Sequence, residues 1–195
     1  LRALRFPLLL IFVVLVFDQW TKIHIKTHFE LQESAPLIPG LIELFFIENN
    51  GMAWGFELGG ATGKLFLSIF RIIAVSLIGY LLFDLVRKKK NRWLVISLSL
   101  IFAGALGNIL DSMFYGIIFS ESHAFQLAEA FPSEGGYAPF LQGKVVDMLH
   151  FTVHWPDWVP YLGGEPIFRP IFNFADAAIT IGVSILVILS IRKKI

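Results

Sequence analysis

Residues 93–115 read WLVISLSLIFAGALGNILDSMFY, an apolar stretch whose one charged residue is Asp111. A helix needs about 20 mostly apolar residues to cross the roughly 30 Å hydrocarbon core of a bilayer, so this stretch predicts a transmembrane helix. Three further stretches meet the same criterion, residues 6–25, 65–86 and 171–191. The sequence therefore predicts four transmembrane helices.

The composition of the whole chain agrees with an integral membrane protein. Of its 195 residues, 56% are apolar and 16% are charged, whereas soluble domains average roughly 45–50% and about 25%. Such high hydrophobicity also excludes a disordered chain. The net charge of +1 gives no indication of a nucleic-acid partner, and the lack of cysteine excludes disulfides and thiolate chemistry. We expect residues 1–195 to form a single membrane domain.

The basic residues are concentrated at one end of the predicted spans. Because short cytoplasmic loops carry an excess of Lys and Arg, both termini and the inner loop 87–92 are predicted to be cytoplasmic. The longer loops 26–64 and 116–170 then lie on the outer side. Ten of the 16 basic residues support this topology: Arg2, Arg5, Arg87, Lys88, Lys89, Lys90, Arg92, Arg192, Lys193 and Lys194.

The first span has one alternative interpretation, a cleaved signal peptide, because basic residues precede the apolar run 8–17. A small-residue cleavage signal would have to follow that run, and the polar segment DQWTK, residues 18–22, follows instead. We therefore interpret residues 6–25 as a retained helix.

The outer loops contain segments typical of β-strands. Residues 41–48 (LIELFFIE) are apolar and lie between turn-forming residues, and residues 144–153 (KVVDMLHFTV) are rich in β-branched side chains. Residues 121–131 suggest a short helix. The predicted fold is therefore an all-α membrane protein with a small outward-facing β-cradle, built by its two outer loops and resting on the membrane.

Charged residues inside the predicted spans fall at one depth. An ionisable residue within a bilayer is costly unless it is paired or hydrated, so each one indicates a functional site or a specific partner. With a rise of about 1.5 Å per residue, Asp18, Arg71, Asp111 and Asp176 all lie in the outer part of the membrane. We interpret Arg71 as a counter-charge for one of the aspartates or as a residue that extends toward the interface.

Helical spacing places several polar residues on shared faces. Asp18 and Lys22 are four residues apart, with the acid first, which favours a neutralising pair; a structural role and a substrate-orienting role are both open. Asn108 and Asp111 lie on one stripe with the glycines of segment 104–111, which permit close helix packing. This stripe is equally compatible with polar contacts between helices and with the wall of a site.

Two aspartates lack an obvious local partner. Asp147 lies between apolar neighbours in the second predicted strand, and Asp176 lies at the outer end of the fourth span, where the helix dipole favours a carboxylate. Two carboxyl groups held close together share one proton. Such a pair supplies a general base for water and a general acid for a leaving amine, as peptide hydrolysis requires.

Other chemistries are disfavoured by the sequence. His24 and His28, like His150 and His154, are four residues apart, but neither pair belongs to an HExxH motif, so we expect no metal site and no cofactor. An ion-coupled transporter would have polar residues through the full membrane thickness and repeated halves, which this chain lacks. A non-catalytic scaffold would not be expected to have two carboxylates without basic partners.

Five motifs together resemble those of bacterial lipoprotein signal peptidase, also called signal peptidase II. DQWTK (18–22) resembles the family pattern D-Q-x-(S/T)-K, and NNGMAW (49–54) resembles N-x-G-x-(A/S)-(F/W). GALGNILD (104–111), VVD (145–147) and FNFAD (172–176) are similar to the remaining three motifs. The motifs occur in the family order and cover nearly the whole chain, which makes the resemblance specific.

The resemblance implies an aspartic endopeptidase of the bacterial inner membrane with its site toward the outer face. It implies cleavage of diacylglyceryl-modified prolipoproteins just before the lipidated cysteine, by a monomer surrounded by membrane lipids. Asp147 and Asp176 match the catalytic aspartates of the family. The implied substrate-binding or supporting residues are Asp18, Lys22, Asn49, Gly51, Asn108, Asp111 and Asn173.

The sequence departs from the family in two places. The family usually has Arg where Ser112 stands, and we expect Arg71 or Lys144 to supply the missing positive charge. Residues 117–143 are inserted between two motifs that are normally near neighbours. We interpret this insertion as an outer flap over the site.

Overall fold

The computed structural model describes residues 4–51 and 60–192. Within these ranges, four helices are long and apolar enough to cross a membrane, which confirms the four predicted spans. The spans are α1 (Arg5–His28), α2 (Gly60–Arg87), α3 (Arg92–Leu110) continued by the short α4 (Gly116–Ile118), and α5 (Phe174–Ile191). Several residues named above lie outside the described ranges: Arg2, Met52, Ala53, Trp54, Lys193 and Lys194.

The helix ends differ from the predicted ends in ways that matter for the site. α1 continues to His28, so Lys26 belongs to the helix rather than to the outer loop. α5 begins at Phe174, because the side chain of Asn173 caps its first turn. Between α3 and α4, residues Asp111–Tyr115 form a π-helical turn. The carbonyl oxygen of Ser112 in this turn accepts a hydrogen bond from the backbone of Gly143 at 2.9 Å.

A three-stranded antiparallel sheet packs against the helices, in the order β1 (Ser34–Ile38), β2 (Ile42–Asn49) and β3 (Val145–Phe151). The two predicted strands are confirmed as β2 and β3. β1 was not predicted, because Pro36 interrupts its sequence pattern; as an edge strand it tolerates proline. The pairing of β2 with β3 sets Ile47 opposite Asp147 and Asn49 opposite Val145.

The sheet is joined to the helices by a buried apolar cluster. Phe46 of β2 and Met148 of β3 are almost completely buried, and they pack with Ile25 near the end of α1 and with Tyr115 of the π-helical turn. Each buried aliphatic or aromatic side chain contributes roughly 1.5–3 kcal/mol relative to exposure in water. This cluster therefore fixes the sheet over one end of α1 and α3.

Close packing between α3 and α5 depends on small residues. Gly104 lies directly against the backbone of Ala175, where any side chain would collide with the carbonyl oxygen. Further along the same contact, the hydroxyl of Ser97 donates to the carbonyl oxygen of Gly182 at 2.7 Å. The glycine stripe of the third span thus brings the polar residues of α3 close to the start of α5.

The prediction of a short helix over residues 121–131 is wrong. The backbone of this segment pairs with itself across a turn instead: Ser120 donates to Glu129 at 2.9 Å, and Phe131 donates to Ile118 at 2.6 Å. His123 and Gln126 form a further bridge at the turn. Because these N–H groups are used across the turn, they do not form helical hydrogen bonds.

Candidate active site

One face of α1 carries three buried charged residues, Asp18, Lys22 and Lys26. Its buried residues are Pro7, Ile11, Asp18, Lys22, Ile25 and Lys26, a stripe at helical spacing. Asp18 and both lysines are no more than 1% exposed. Charged side chains at this level of burial require partners, and these partners come from α3, the π-helical turn, α5, β2 and the inserted segment.

Lys22 lies between two aspartates. Its ammonium nitrogen is 3.0 Å from Oδ2 of Asp18 and 2.8 Å from Oδ2 of Asp111. All three side chains are buried. The amide of Gln19 donates to Oδ1 of Asp111 at 2.8 Å. The predicted Asp18–Lys22 pair therefore exists, and it is part of a larger group that connects α1 to the π-helical turn after α3.

The same two aspartates also hold the backbone of the neighbouring elements. Oδ1 of Asp18 accepts a hydrogen bond from the backbone N–H of Ala175 in α5 at 2.9 Å. Oδ2 of Asp111 accepts one from the backbone N–H of Val146 in β3 at 3.3 Å. Val146 and Ala175 each precede one of the two candidate catalytic residues. The buried charges thus fix the backbone immediately before Asp147 and Asp176.

Asp176 lies in the first turn of α5 and forms a reciprocal cap with Asn173. The backbone N–H of Asp176 donates to Oδ1 of Asn173 at 2.9 Å, and the backbone N–H of Asn173 donates to Oδ2 of Asp176 at 3.3 Å. The amide of Asn108 donates to Oδ1 of Asp176 at 2.8 Å. The side chain of Asp176 is partly exposed. The helix N-terminus and these two donors favour its negative charge.

Asp147 is in the centre of β3 and is 5% exposed. Its Oδ1 accepts a hydrogen bond from the amide of Asn173 at 2.7 Å, and its Oδ2 accepts one from the amide of Asn49. Burial, and secondarily the negative charge of Asp176, raise the pKa of Asp147 to about 7. The two carboxyl groups therefore differ in environment, and the raised pKa of Asp147 favours its protonated form.

Asn108 and Asn173 connect the two candidate catalytic residues. The amide nitrogen of Asn173 is 3.0 Å from Oδ1 of Asn108, which also accepts a hydrogen bond from Lys22 at 2.8 Å. A continuous path of hydrogen bonds thus runs from Asp147 through both asparagines to Asp176. The structure brings together all of the predicted site residues of α1, α3, β3 and α5.

Gly51 lies at the edge of the site, just after β2. Its φ of 86° is a left-handed conformation that glycine adopts without strain. Its N–H donates to Oδ1 of Asn49 at 2.5 Å, and its carbonyl oxygen accepts a hydrogen bond from the guanidinium of Arg71. Gly51 therefore connects Asn49, which donates a hydrogen bond to Asp147, to α2.

Of the two residues expected to replace the missing family arginine, Arg71 does act on the site, because its positive charge interacts with Asp111, Asp147 and Asp176. Lys144 forms an ion pair with Glu121 at 3.1 Å and lies 3.9 Å from Glu48. Arg71 contacts the carbonyl of Gly51, and no ion pair of Arg71 occurs among the residues in the structure's two ranges. The positive charge beside Asp111 comes from Lys22, which is already in place through α1.

The histidine pairs make local contacts away from the two carboxylates. The rings of His24 and His28 stack with centroids 4.4 Å apart on the surface of α1. Nδ1 of His150 is 2.8 Å from Glu43 on the neighbouring strand, and His154 pairs with Pro166 through the backbone. Across residues 4–51 and 60–192, no three His, Asp or Glu side chains converge as metal ligands would.

Sequence reasoning missed three polar residues of this region. Gln19 lies inside the DQWTK motif and bridges Asp18, Asp111 and the hydroxyl of Tyr115. Lys26 and Glu48 form a second buried ion pair at 2.5 Å. The spacing of Asp18, Lys22 and Lys26, at four-residue intervals on one helix face, was the available signal for Lys26.

Four membrane-capable helices and two carboxylates joined by shared amides are the features of a membrane peptidase of the aspartic type. Comparison with known proteins agrees with this class. The family model for signal peptidase (SPase) II matches residues 10–192. The chain belongs to the signal peptidase II family.

Individual relatives cover most of the chain. A lipoprotein signal peptidase of Porphyromonas gingivalis is 49% identical over 185 residues, which cover 92% of this chain and 80% of that protein. One from Staphylococcus aureus is 32% identical over 95% of this chain and 86% of its own length. A bacterial membrane enzyme solved by the in meso method at 2.3 Å resolution superposes with a TM-score of 0.65, at 26% identity, over 96% of this chain and 88% of that one.

Proposed function

We propose that this peptidase cleaves diacylglyceryl-modified prolipoproteins just before the lipidated cysteine, with Asp147 and Asp176 as the catalytic pair. The observation that carries the proposal is the hydrogen-bonded path from Asp147 through Asn173 and Asn108 to Asp176. This path connects two carboxyl groups, one buried and one partly exposed. Such a pair performs acid–base hydrolysis without a covalent intermediate.

In the proposed mechanism the two carboxyl groups have different roles at the start of the reaction. Asp176, in the first turn of α5, is the general base and accepts a proton from a water molecule as the water oxygen attacks the scissile carbonyl carbon. Asp147, whose pKa burial raises to about 7, donates its proton to the amine as the carbon–nitrogen bond of the tetrahedral intermediate breaks. The products are the carboxyl group of the signal peptide and the free amine of the lipidated cysteine.

The surrounding polar residues keep this pair in position. Asn108 and Asn173 orient the carboxylates, and Asn49 and Gly51 extend the same hydrogen-bonded region to the end of β2. Asp18, Lys22 and Asp111 fix the backbone that carries the pair. A site that excludes most water strengthens each of these contacts, provided that every polar group is satisfied.

The topology that we propose follows from the basic residues of the inner loop and the termini. Both termini lie in the cytoplasm, and the sheet, the insertion and the catalytic pair face the outer side of the bacterial inner membrane. The lipid tails of the substrate enter between helices from the outer leaflet, and the peptide lies beneath the sheet. We further propose that residues 1–195 act as one domain and as a monomer.

The substrate is tested with two precursors that differ at one residue. The purified protein in detergent is given a prolipoprotein carrying a diacylglyceryl cysteine, and the same precursor with serine at that position, which cannot be lipidated. We expect a gel shift for the lipidated precursor and none for the serine form. Equal cleavage of both precursors would contradict the proposed substrate class.

A further inference from the structure

A second buried ion pair lies next to the site and takes no part in the mechanism above. The ammonium of Lys26 is 2.5 Å from Oε1 of Glu48, and the two side chains are 0% and 3% exposed. Lys26 is at the end of α1, and Glu48 is on β2, directly before Asn49. Two charges buried this far from water are costly unless their positions are fixed by further contacts.

Those further contacts come mainly from the inserted segment, residues 117–143. The hydroxyl of Ser122 is 2.8 Å from the Lys26 ammonium and 3.2 Å from Oε1 of Glu48. The rings of Phe119 and Tyr137 lie 5.6 and 5.0 Å from the same ammonium, at cation–π distance. The insertion therefore contacts the ion pair from several sides and helps to fix its position.

The other oxygen of Glu48 is directed toward the start of β3. Oε2 is buried and has no hydrogen-bond partner among the atoms of the two described ranges, while the ammonium of Lys144 lies 3.9 Å away. Lys144 in turn pairs with Glu121 of the insertion at 3.1 Å. Glu48 thus lies between two cations, one on α1 and one at the start of the strand that carries Asp147.

From this geometry we infer that Lys26 and Glu48 are positioning residues for Asp147, acting through Asn49. Successive side chains of a strand point to opposite faces, so fixing Glu48 on one face fixes the direction of Asn49 on the other. Asn49 donates a hydrogen bond to Oδ2 of Asp147. The inference rests on the proposed function, because it assigns a purpose to the ion pair only if Asp147 is catalytic.

The hydrogen bond from Asn49 gives the inference a specific readout. It stabilises the ionised form of Asp147 and so lowers the pKa of that carboxyl. The other charged groups that act on Asp147 are Asp176 of α5, Lys22 of α1 and Arg71 of α2. None of these contacts the Lys26–Glu48 pair, so disruption of the pair changes the contribution of Asn49 specifically.

The test removes both charges together, because a single buried charge left alone would prevent folding. In the double variant Lys26→Met, Glu48→Met we expect kcat to fall on the order of 10- to 100-fold with little change in KM, since misplacement of a catalytic group costs about this much. The pKa of Asp147 is expected to move upward.

The matched control is Asp84→Met with Lys88→Met, which removes an exposed ion pair of 2.8 Å on α2. This double variant is expected to leave kcat and the pKa of Asp147 unchanged. The pKa of Asp147 is read from the carboxyl infrared band that Asp147→Asn abolishes, a measurement that needs no substrate. A folded Lys26, Glu48 double variant with an unmoved pKa overturns the inference. Failure of the wild-type protein to cleave the lipidated precursor overturns the proposed function instead, and the infrared readout remains valid.

Discussion

The side-chain amide of Asn173 donates a hydrogen bond to the side-chain oxygen of Asn108 at 3.0 Å, although 65 positions separate them in the chain. Each asparagine also donates to one of the two candidate catalytic carboxyl groups. The oxygen of Asn108 additionally accepts a hydrogen bond from Lys22. The buried charge cluster and the catalytic pair are therefore one connected structure.

Removal of the amide of Asn108 tests this connection. In Asn108→Ala, Asp176 loses its side-chain donor and Lys22 loses an acceptor, so we expect kcat to fall on the order of 10- to 100-fold with KM nearly unchanged. Steady-state cleavage of a lipidated precursor measures both constants. The control is Asn91→Ala, which removes an N-cap contact at the opposite end of α3 and is expected to alter stability by about 1 kcal/mol without altering kcat.

The raised pKa of Asp147 predicts the pH dependence of cleavage. Asp147 must hold a proton at the start of the reaction, and its pKa lies at about 7, so the protonated form is present below that pH and disappears above it. We expect kcat/KM to decline above about pH 7, approaching tenfold per pH unit. A rate that stays constant or rises between pH 7 and pH 9 would contradict the assignment of Asp147 as the acid.

The raised pKa of Asp147 also makes the free energy of unfolding depend on pH. Between the ordinary value of 3.8 and about 7, the folded state binds more protons at Asp147 than the unfolded state does. The contribution of this residue to the free energy of unfolding therefore decreases as pH rises through that window. Thermal unfolding of the wild type and of Asp147→Asn, compared at pH 5 and pH 8, measures the difference. A smaller loss of Tm in the variant is the expected result.

The packing of α1 on α3 depends on the absence of a side chain at Gly107. A Cβ atom at this position would lie 2.7 Å from Oδ2 of Asp18, so Gly107→Ala is expected to displace Asp18 and lower both activity and Tm. Gly79→Ala is a matched control, because its Cβ would instead meet the ring of Phe102 at 2.9 Å, and this partly buried ring moves more easily than a buried carboxylate held by hydrogen bonds. Equal Tm values for the two variants would contradict the claim that the position of Asp18 requires a glycine at residue 107.

The four spans and the depth of their charges could be predicted from the sequence, because both depend on local quantities. Length and hydropathy identify a span, and a constant rise per residue places Asp18, Asp111 and Asp176 near one end. The Asp18–Lys22 pair could also be predicted, since its members share one helix.

The contacts that join different elements could not be predicted in the same way. The hydrogen bond between Asn108 and Asn173 depends on the rotation of α3 and α5 about their axes, which tertiary packing determines. The burial of Lys26 depends on the insertion, whose backbone pairs across a turn where a helix was expected. The position of Lys22 between Asp18 and Asp111 depends in the same way on how α1 packs against its neighbours.

The proposed topology is tested directly because the chain contains no cysteine. A single cysteine introduced at exposed Ser133 in the insertion, or at exposed Lys90 in the inner loop, is then the one thiol available. In spheroplasts a membrane-impermeant maleimide is expected to label Ser133→Cys, and to label Lys90→Cys only after the membrane is permeabilised. Labelling of Lys90→Cys in intact spheroplasts would reverse the proposed orientation.

The central claim is that Asp147 and Asp176 act together as the catalytic pair. Its most direct test is the single-turnover cleavage rate of a lipidated precursor by Asp147→Asn and by Asp176→Asn, each purified from the membrane and shown by circular dichroism to be folded. Each substitution is expected to lower the rate by at least about 10²-fold, and the double variant is expected to be no slower than the single ones, because the pair works as a unit. Cleavage at the wild-type rate by either folded single variant would contradict the account.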